Sequence, residues 1–180
     1  MSSTPVLIIP GYRGSGPFHW QSLWEASDPD FHRVAQRDWE HPCLVDWIEP
    51  LQQAVGDCIA PPVVVAHSLG CALVAHWSRI HGHGVKAALL VSPSDVDSPA
   101  HTPAAVRGFS PMPLLPFPFP SIVVASNNDP RVELKRAQMF AMSWGSRLVV
   151  VEWAGHINED SGLGDWAAGK TLLRELVNAP

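Results

Sequence analysis

A chain of 180 residues, 46% of them hydrophobic and with a formal net charge of -5, can bury roughly 70% of its unfolded surface in one core, so one domain over residues 1–180 is expected. It has no run of Lys or Arg to meet nucleic acid or an anionic membrane, no apolar run long enough to span a bilayer, and no basic segment at Met1-Ser2-Ser3-Thr4-Pro5; these features predict a cytoplasmic protein whose partner is a small molecule. Cys43, Cys58 and Cys71 are odd in number and match no zinc or redox spacing, which reads as structural thiols in a reducing compartment.

The first predicted element is the apolar strand Val6-Leu7-Ile8-Ile9, ended by Pro10-Gly11-Tyr12-Arg13-Gly14-Ser15-Gly16-Pro17. A turn so rich in glycine lets backbone approach a ligand closely. It lacks both the G-x-G-x-x-G spacing and the Gly-Lys-Ser/Thr ending of a phosphate cradle. His19-Trp20-Gln21-Ser22-Leu23-Trp24 opens a short helix with Trp20, Leu23 and Trp24 on one face. Phe31-His32-Arg33-Val34-Ala35 reads as a second, less buried strand running into Gln36-Arg37-Asp38-Trp39. Trp39, at the carboxyl end of a parallel strand, is a candidate pocket wall, with plain core packing as its alternative. From Val45 to Cys58 an amphipathic helix turns Trp47, Ile48, Leu51, Ala54 and Val55 inward, and Pro61-Pro62 closes it.

Val63-Val64-Val65 has the β-branched character of a strand buried on both faces, whereas Leu69, Ala72, Leu73, His76 and Ile80 fall at helical spacing. The chain must therefore turn sharply at Ser68. Such an elbow tolerates only small residues two before and two after the serine, and these are Ala66 and Gly70. The pattern is that of a nucleophile elbow with Ala for the first Gly. It would hold the Ser68 hydroxyl at a helix start, where free N–H groups favour developing negative charge. An ordinary strand-to-helix turn with a serine cap is the alternative. Oxyanion donors at such a site come from the residue after the nucleophile, Leu69, and from the first loop, where Tyr12 is the candidate.

Ala87-Ala88-Leu89-Leu90-Val91 gives a further buried strand. His76, His81 and His83 gather near the preceding helix end, but no carboxylate or cysteine completes a ligand set, and no metal is expected. Between Ser92 and Ser121 stand Pro93, Pro99, Pro103, Pro111, Pro113, Pro116, Pro118 and Pro120, eight of the chain's 18 prolines. That density excludes a helical cap domain. It predicts an extended crossover over the carboxyl edge of the sheet, with Met112, Leu114, Phe117 or Phe119 touching substrate or packing on the core. Phe117 is the chosen substrate-binding candidate. Ile122-Val123-Val124-Ala125 is the next strand, and Ser126-Asn127-Asn128-Asp129-Pro130 follows it. Asp129 can orient a histidine and can also start a helix through Ala137, Phe140, Ala141 and Trp144. The last strand, Leu148-Val149-Val150-Val151, leads to Gly155-His156, and a final helix carries Trp166, Leu173, Leu176 and Val177 on one face.

Six strands alternating with helices predict a three-layer α/β/α sandwich with a mostly parallel sheet. Ser68, Asp129 and His156 each follow a separate strand, in the chain order of a nucleophile, its acid and its base. If Asp129 were not the acid, Asp95 or Asp97 would be next in line.

With these residues in place the chain resembles the α/β-hydrolase superfamily, and within it the small cap-less serine hydrolases that include the retinoblastoma-binding protein hydrolase and the Bacillus YdeN protein. The resemblance rests on Pro10-Gly11-Tyr12 with His19-Trp20-Gln21, Asp38-Trp39 with Pro42, Ala66-His67-Ser68-Leu69-Gly70, Leu115-Pro116-Phe117-Pro118, Ala125 to Pro130, Gly155-His156-Ile157-Asn158, Ser161-Gly162 and Gly164-Asp165-Trp166. It implies a minimal α/β-hydrolase fold and a triad of Ser68, Asp129 and His156. Pro10 stands where many members place His before Gly, which leaves the first-loop oxyanion donor open between Tyr12 and Arg13. The expected activity is hydrolysis of a small ester or amide through an acyl-enzyme, without a cofactor. Acyl transfer to another acceptor, and a binding protein on the same fold, are the alternatives. The missing cap and the proline-rich cover predict a small, shallow pocket for short acyl groups.

Overall fold

Residues 4–179 are described by a computed structural model. Its strands are β1 (Val6–Ile9), β2 (Phe31–Arg33), β3 (Val63–His67), β4 (Ala87–Val91), β5 (Ser121–Ser126) and β6 (Arg147–Val151). They form one sheet in the order β2-β1-β3-β4-β5-β6, with all five pairings parallel. The helices are α1 (Trp20–Ser27), α2 (Leu44–Asp57), α3 (Leu69–His81), α4 (Leu134–Trp144) and α5 (Ala167–Val177).

Every residue of β1, β3, β4 and β5 is buried, because both faces of the sheet are covered. Side chains alternate across a strand. Leu7, Ile9, Val64, Ala66, Ala88 and Leu90 therefore pack with α2, α3 and α4, while Val6, Ile8, Val63, Val65, Ala87 and Leu89 pack with α1 and α5. The second face is closed by indoles: Trp20 lies against Trp24 and Trp166 with ring centres 4.7 and 5.0 Å apart. This is the expected three-layer architecture of a minimal α/β-hydrolase fold.

The chain leaves β1 toward β2 on one side and returns to β3 on the other. A parallel sheet opens a crevice at such a reversal, beyond the carboxyl ends of its strands. The loops after β1, β3, β4, β5 and β6 all emerge at that edge.

The segment between β4 and β5 departs from the extended cover expected. It contains a 3-10 helix at Ala104–Phe109, and Phe109, Met112 and Phe119 are buried in the core. Only its first part, including Thr102, Pro103 and Val106, reaches the crevice. The proline-rich remainder descends along α3 and α4, where the Phe117 N–H donates to the Trp144 carbonyl.

Candidate active site

The turn from β3 into α3 holds Ser68 at φ 57°, ψ -120°. A non-glycine residue in that region is strained, and the strain persists only where surroundings impose it. Here they do. A Cβ on Gly70 would lie 2.4 Å from the Ile9 carbonyl oxygen, and one on Gly11 would lie 2.8 Å from the Ser68 Cβ. The first loop is thereby pressed against the elbow. The Ser68 N–H donates to the Val91 carbonyl at 3.0 Å, which ties the elbow to β4.

His156 Nε2 lies 2.8 Å from Ser68 Oγ, and its Nδ1 lies 2.9 and 3.0 Å from the two carboxylate oxygens of Asp129. A carboxylate only accepts, so Nδ1 carries the hydrogen and Nε2 accepts the Ser68 hydroxyl proton. The Asp129 side chain is fully buried, and its Oδ1 also accepts the Arg131 N–H at 2.8 Å. Asp95 and Asp97, the substitute acids, are instead engaged by Arg136, whose Nε is 3.1 Å from Asp95 Oδ1 and whose Nη2 meets Asp97.

The loop after β5 also shapes the histidine loop. Asn127 Oδ1 accepts the Trp153 N–H at 2.7 Å, Asn128 Oδ1 accepts the Gly155 N–H at 2.8 Å, and Ser126 Oγ accepts the Ala154 N–H at 3.0 Å. Beyond His156, two rings hold the backbone: His67 Nε2 donates to the His156 carbonyl at 2.9 Å and Trp20 Nε1 donates to that of Ile157 at 2.8 Å. Burial pushes His67 well below the ordinary imidazole range, with His156 and His19 adding to the shift. His19 is lowered to about 4, first by burial and then by Arg33 and His156. Its Nδ1 accepts the Gln21 N–H and caps α1, so a proton there would break the cap.

The Arg13 N–H donates to the Trp39 carbonyl at 3.0 Å, whereas among the described residues the Tyr12 and Leu69 N–H groups meet no acceptor. Both residues line, with Ser68, a cavity of about 1030 Å³ bounded also by Thr102, Val106 and Trp153. Its size corrects the expectation of a small pocket. Trp153, 77% exposed and held at φ 55°, stands at the mouth.

Two substrate-binding candidates lie elsewhere. Trp39 packs edge-on against Trp47 and beneath Gly14, supporting the first loop from behind. Phe117 stacks on Phe119 and lines a separate cleft of about 290 Å³ with Ser78 and Arg79. Strand-end position did not fix the direction of Trp39, the crossover that carries Phe117 leaves the carboxyl edge, and both rings pack against the core.

Among the described residues no cluster of three or more His, Cys, Asp or Glu side chains could hold a metal ion. His76 is buried, and its Nε2 lies 2.8 Å from the Phe109 carbonyl. Burial raises the Cys71 thiol, away from reactivity. Sequence reasoning missed Ser94, whose hydroxyl lies 2.8 Å from that of Ser68, and the anchoring role of His67. The register pairing His67 with Val91 brings the β4 loop to the elbow, and no local pattern encodes it.

A sequence profile of the serine hydrolase family matches residues 6–175. No protein of curated function matches the chain in sequence. Among solved structures it is similar to a protein assigned as a YdeN-like hydrolase of Pectobacterium atrosepticum, with 31% identity, a TM-score of 0.87, and 97% of this chain and 91% of the other covered. The ydeN gene product of Bacillus subtilis shares 22% identity at a TM-score of 0.77, covering 98% of this chain and all of the other. Est1E of Butyrivibrio proteoclasticus shares the fold, at 14% identity, a TM-score of 0.72, and 99% and 90% coverage.

Proposed function

The chain belongs to the serine hydrolase family, and from that premise we propose that Ser68, His156 and Asp129 hydrolyse a small-molecule ester or amide through an acyl-enzyme. The observation that carries the reading is the unbroken hydrogen-bonded line from Asp129 through His156 to Ser68, on loops of three different strands.

In the first step Ser68 Oγ attacks the substrate carbonyl while His156 Nε2 takes its proton. Asp129 holds the imidazole in the tautomer that can accept, and stabilises the imidazolium that forms. The Leu69 and Tyr12 N–H groups face the developing oxyanion, each donor being worth about a hundredfold to a thousandfold in rate. His156 returns the proton to the departing alcohol or amine. Water then attacks the acyl-enzyme, His156 takes its proton, the bond to Ser68 Oγ breaks as His156 passes that proton to it, and the acid leaves.

The cavity of about 1030 Å³ favours a substrate bulkier than a short acyl ester, and the exposed Trp153 indole offers it an apolar surface at the mouth. The free thiols of Cys43, Cys58 and Cys71 favour a reducing, cytoplasmic setting. A series of p-nitrophenyl esters of increasing acyl length tests the reading. Wild-type protein turns them over, and Ser68→Ala and His156→Ala lose that turnover. Equal rates for wild type and Ser68→Ala would overturn it.

A further inference from the structure

We propose that Ser94 is a second catalytic hydroxyl, one that stabilises the Ser68 oxygen as it leaves the acyl-enzyme and so serves deacylation in particular. The inference rests on Ser68 being the nucleophile.

The direction of the Ser94 hydrogen bond follows from a proton count. Ser68 has one hydroxyl hydrogen, and His156 Nε2 claims it at 2.8 Å because Nδ1 donates to Asp129. Ser68 Oγ can then only accept from Ser94 Oγ, 2.8 Å away. Ser94 thus aims its own hydrogen at the oxygen that reacts.

The backbone around Ser94 is held for this arrangement. Ser92 sits at φ 48°, a strained conformation for a serine, and turns the chain off β4 toward the elbow. The Ser94 N–H donates to the Ser68 carbonyl at 3.4 Å, and the Asp95 N–H to the Arg131 carbonyl at 3.2 Å. Arg136 grips Asp95 and Asp97, and the Thr102 hydroxyl lies 2.9 Å from the Ser98 carbonyl and 3.2 Å from that of Asp95. Ser94 is 5% exposed, so water competes little for its hydroxyl. A donor fixed beforehand costs no reorganisation when charge develops.

Its effect differs between the two half-reactions. In the free enzyme Ser68 Oγ is a hydroxyl oxygen and already a good acceptor, so the contact stabilises the ground state about as much as the transition state of acylation. In the acyl-enzyme the same atom is the ether oxygen of an ester, a weak acceptor. As the C–Oγ bond breaks, with water's oxygen bound to the acyl carbon and water's proton on His156, negative charge returns to Oγ before it recovers a proton from Nε2. The Ser94 bond strengthens over that step alone, and strengthening between ground and transition state is what accelerates a reaction. About tenfold is expected, below the effect of an oxyanion donor because the departing Oγ, still partly bonded to carbon, carries less charge than the carbonyl oxygen does.

The test is pre-steady-state hydrolysis of p-nitrophenyl acetate by wild type, Ser94→Ala and Ser94→Thr, with acyl-enzyme followed by intact mass. In Ser94→Ala the burst rate stays within about twofold and acyl-enzyme decay slows about tenfold. kcat and KM then fall together and kcat/KM holds, while Ser94→Thr, which keeps the hydroxyl, restores the decay rate. A mere packing role would lower the burst rate and kcat/KM as much as the decay, and that result would overturn the inference. Unchanged decay in Ser94→Ala would overturn it as well. Wild-type protein that forms no acyl-enzyme and no fluorophosphonate adduct would instead overturn the nucleophile reading, and this inference with it.

Discussion

Replacing Asp129 by Asn tests the line of hydrogen bonds at its least exposed member. Asp129 Oδ1 accepts the Arg131 N–H at 2.8 Å, so an amide at this position places its carbonyl there and its NH2 where Oδ2 meets His156 Nδ1 at 3.0 Å. An N–H pointed at Nδ1 favours the tautomer with hydrogen on Nε2, which cannot take the Ser68 proton. Restoring the reactive tautomer gives up that neutral hydrogen bond and turns two buried donors against each other, at roughly 1–3 kcal/mol. The imidazolium also loses an ionic partner worth roughly 4 kcal/mol at 4 Å in an effective dielectric of 20. Because the transition state carries only part of that charge, kcat for a p-nitrophenyl ester should fall about 10³- to 10⁴-fold, with a circular dichroism spectrum like that of wild type. Turnover within tenfold of wild type would refute the reasoning and place the acid elsewhere.

Other consequences can be checked with the same assay or by denaturation. His67→Phe and Trp20→Phe keep an aromatic ring but remove the donors to the His156 and Ile157 carbonyls; kcat should fall about tenfold or more with KM within twofold, since the base is misplaced and binding is not. Gly70→Ala drives a Cβ to 2.4 Å from the Ile9 carbonyl oxygen, and should cost about 1–3 kcal/mol in urea unfolding as well as activity. Burial lowers His19 from 6.5 to about 4, so between those values the unfolded chain binds a proton that the native chain does not. Its contribution to stability is therefore complete above pH 6.5 and lost as pH falls toward 4, by roughly 3 kcal/mol. His19→Asn, which can still cap α1, should make the urea midpoint fall less steeply over that range, leaving the share of the same sign that buried His67 contributes, and an unchanged slope would contradict it.

Much of this arrangement is legible in the sequence, for physical reasons that differ by element. Unbroken β-branched runs such as Val63-Val64-Val65 betray strands covered on both faces, and small residues flanking Ser68 betray a turn with no room for a Cβ. Asp129 and His156 could be read because each follows a strand in an order that chain topology constrains. Trp39 lies elsewhere because position near a strand end does not give a ring's direction, and Phe117 because its proline-rich segment runs down along α3 and α4 instead of staying over the carboxyl edge of the sheet. Ser94, His67 and the Ser126 to Asn128 template escaped notice because their partners lie 26 or more residues away. Only the register of the sheet brings them together.

The most direct test of an activated Ser68 is intact mass after incubation with a fluorophosphonate, with Ser68→Ala alongside. A single adduct on the wild-type chain that is absent from Ser68→Ala is the predicted result, because only a serine whose proton is drawn off by His156 attacks phosphorus readily. A folded wild-type chain that stays unmodified, or a Ser68→Ala chain that labels equally, would contradict the account.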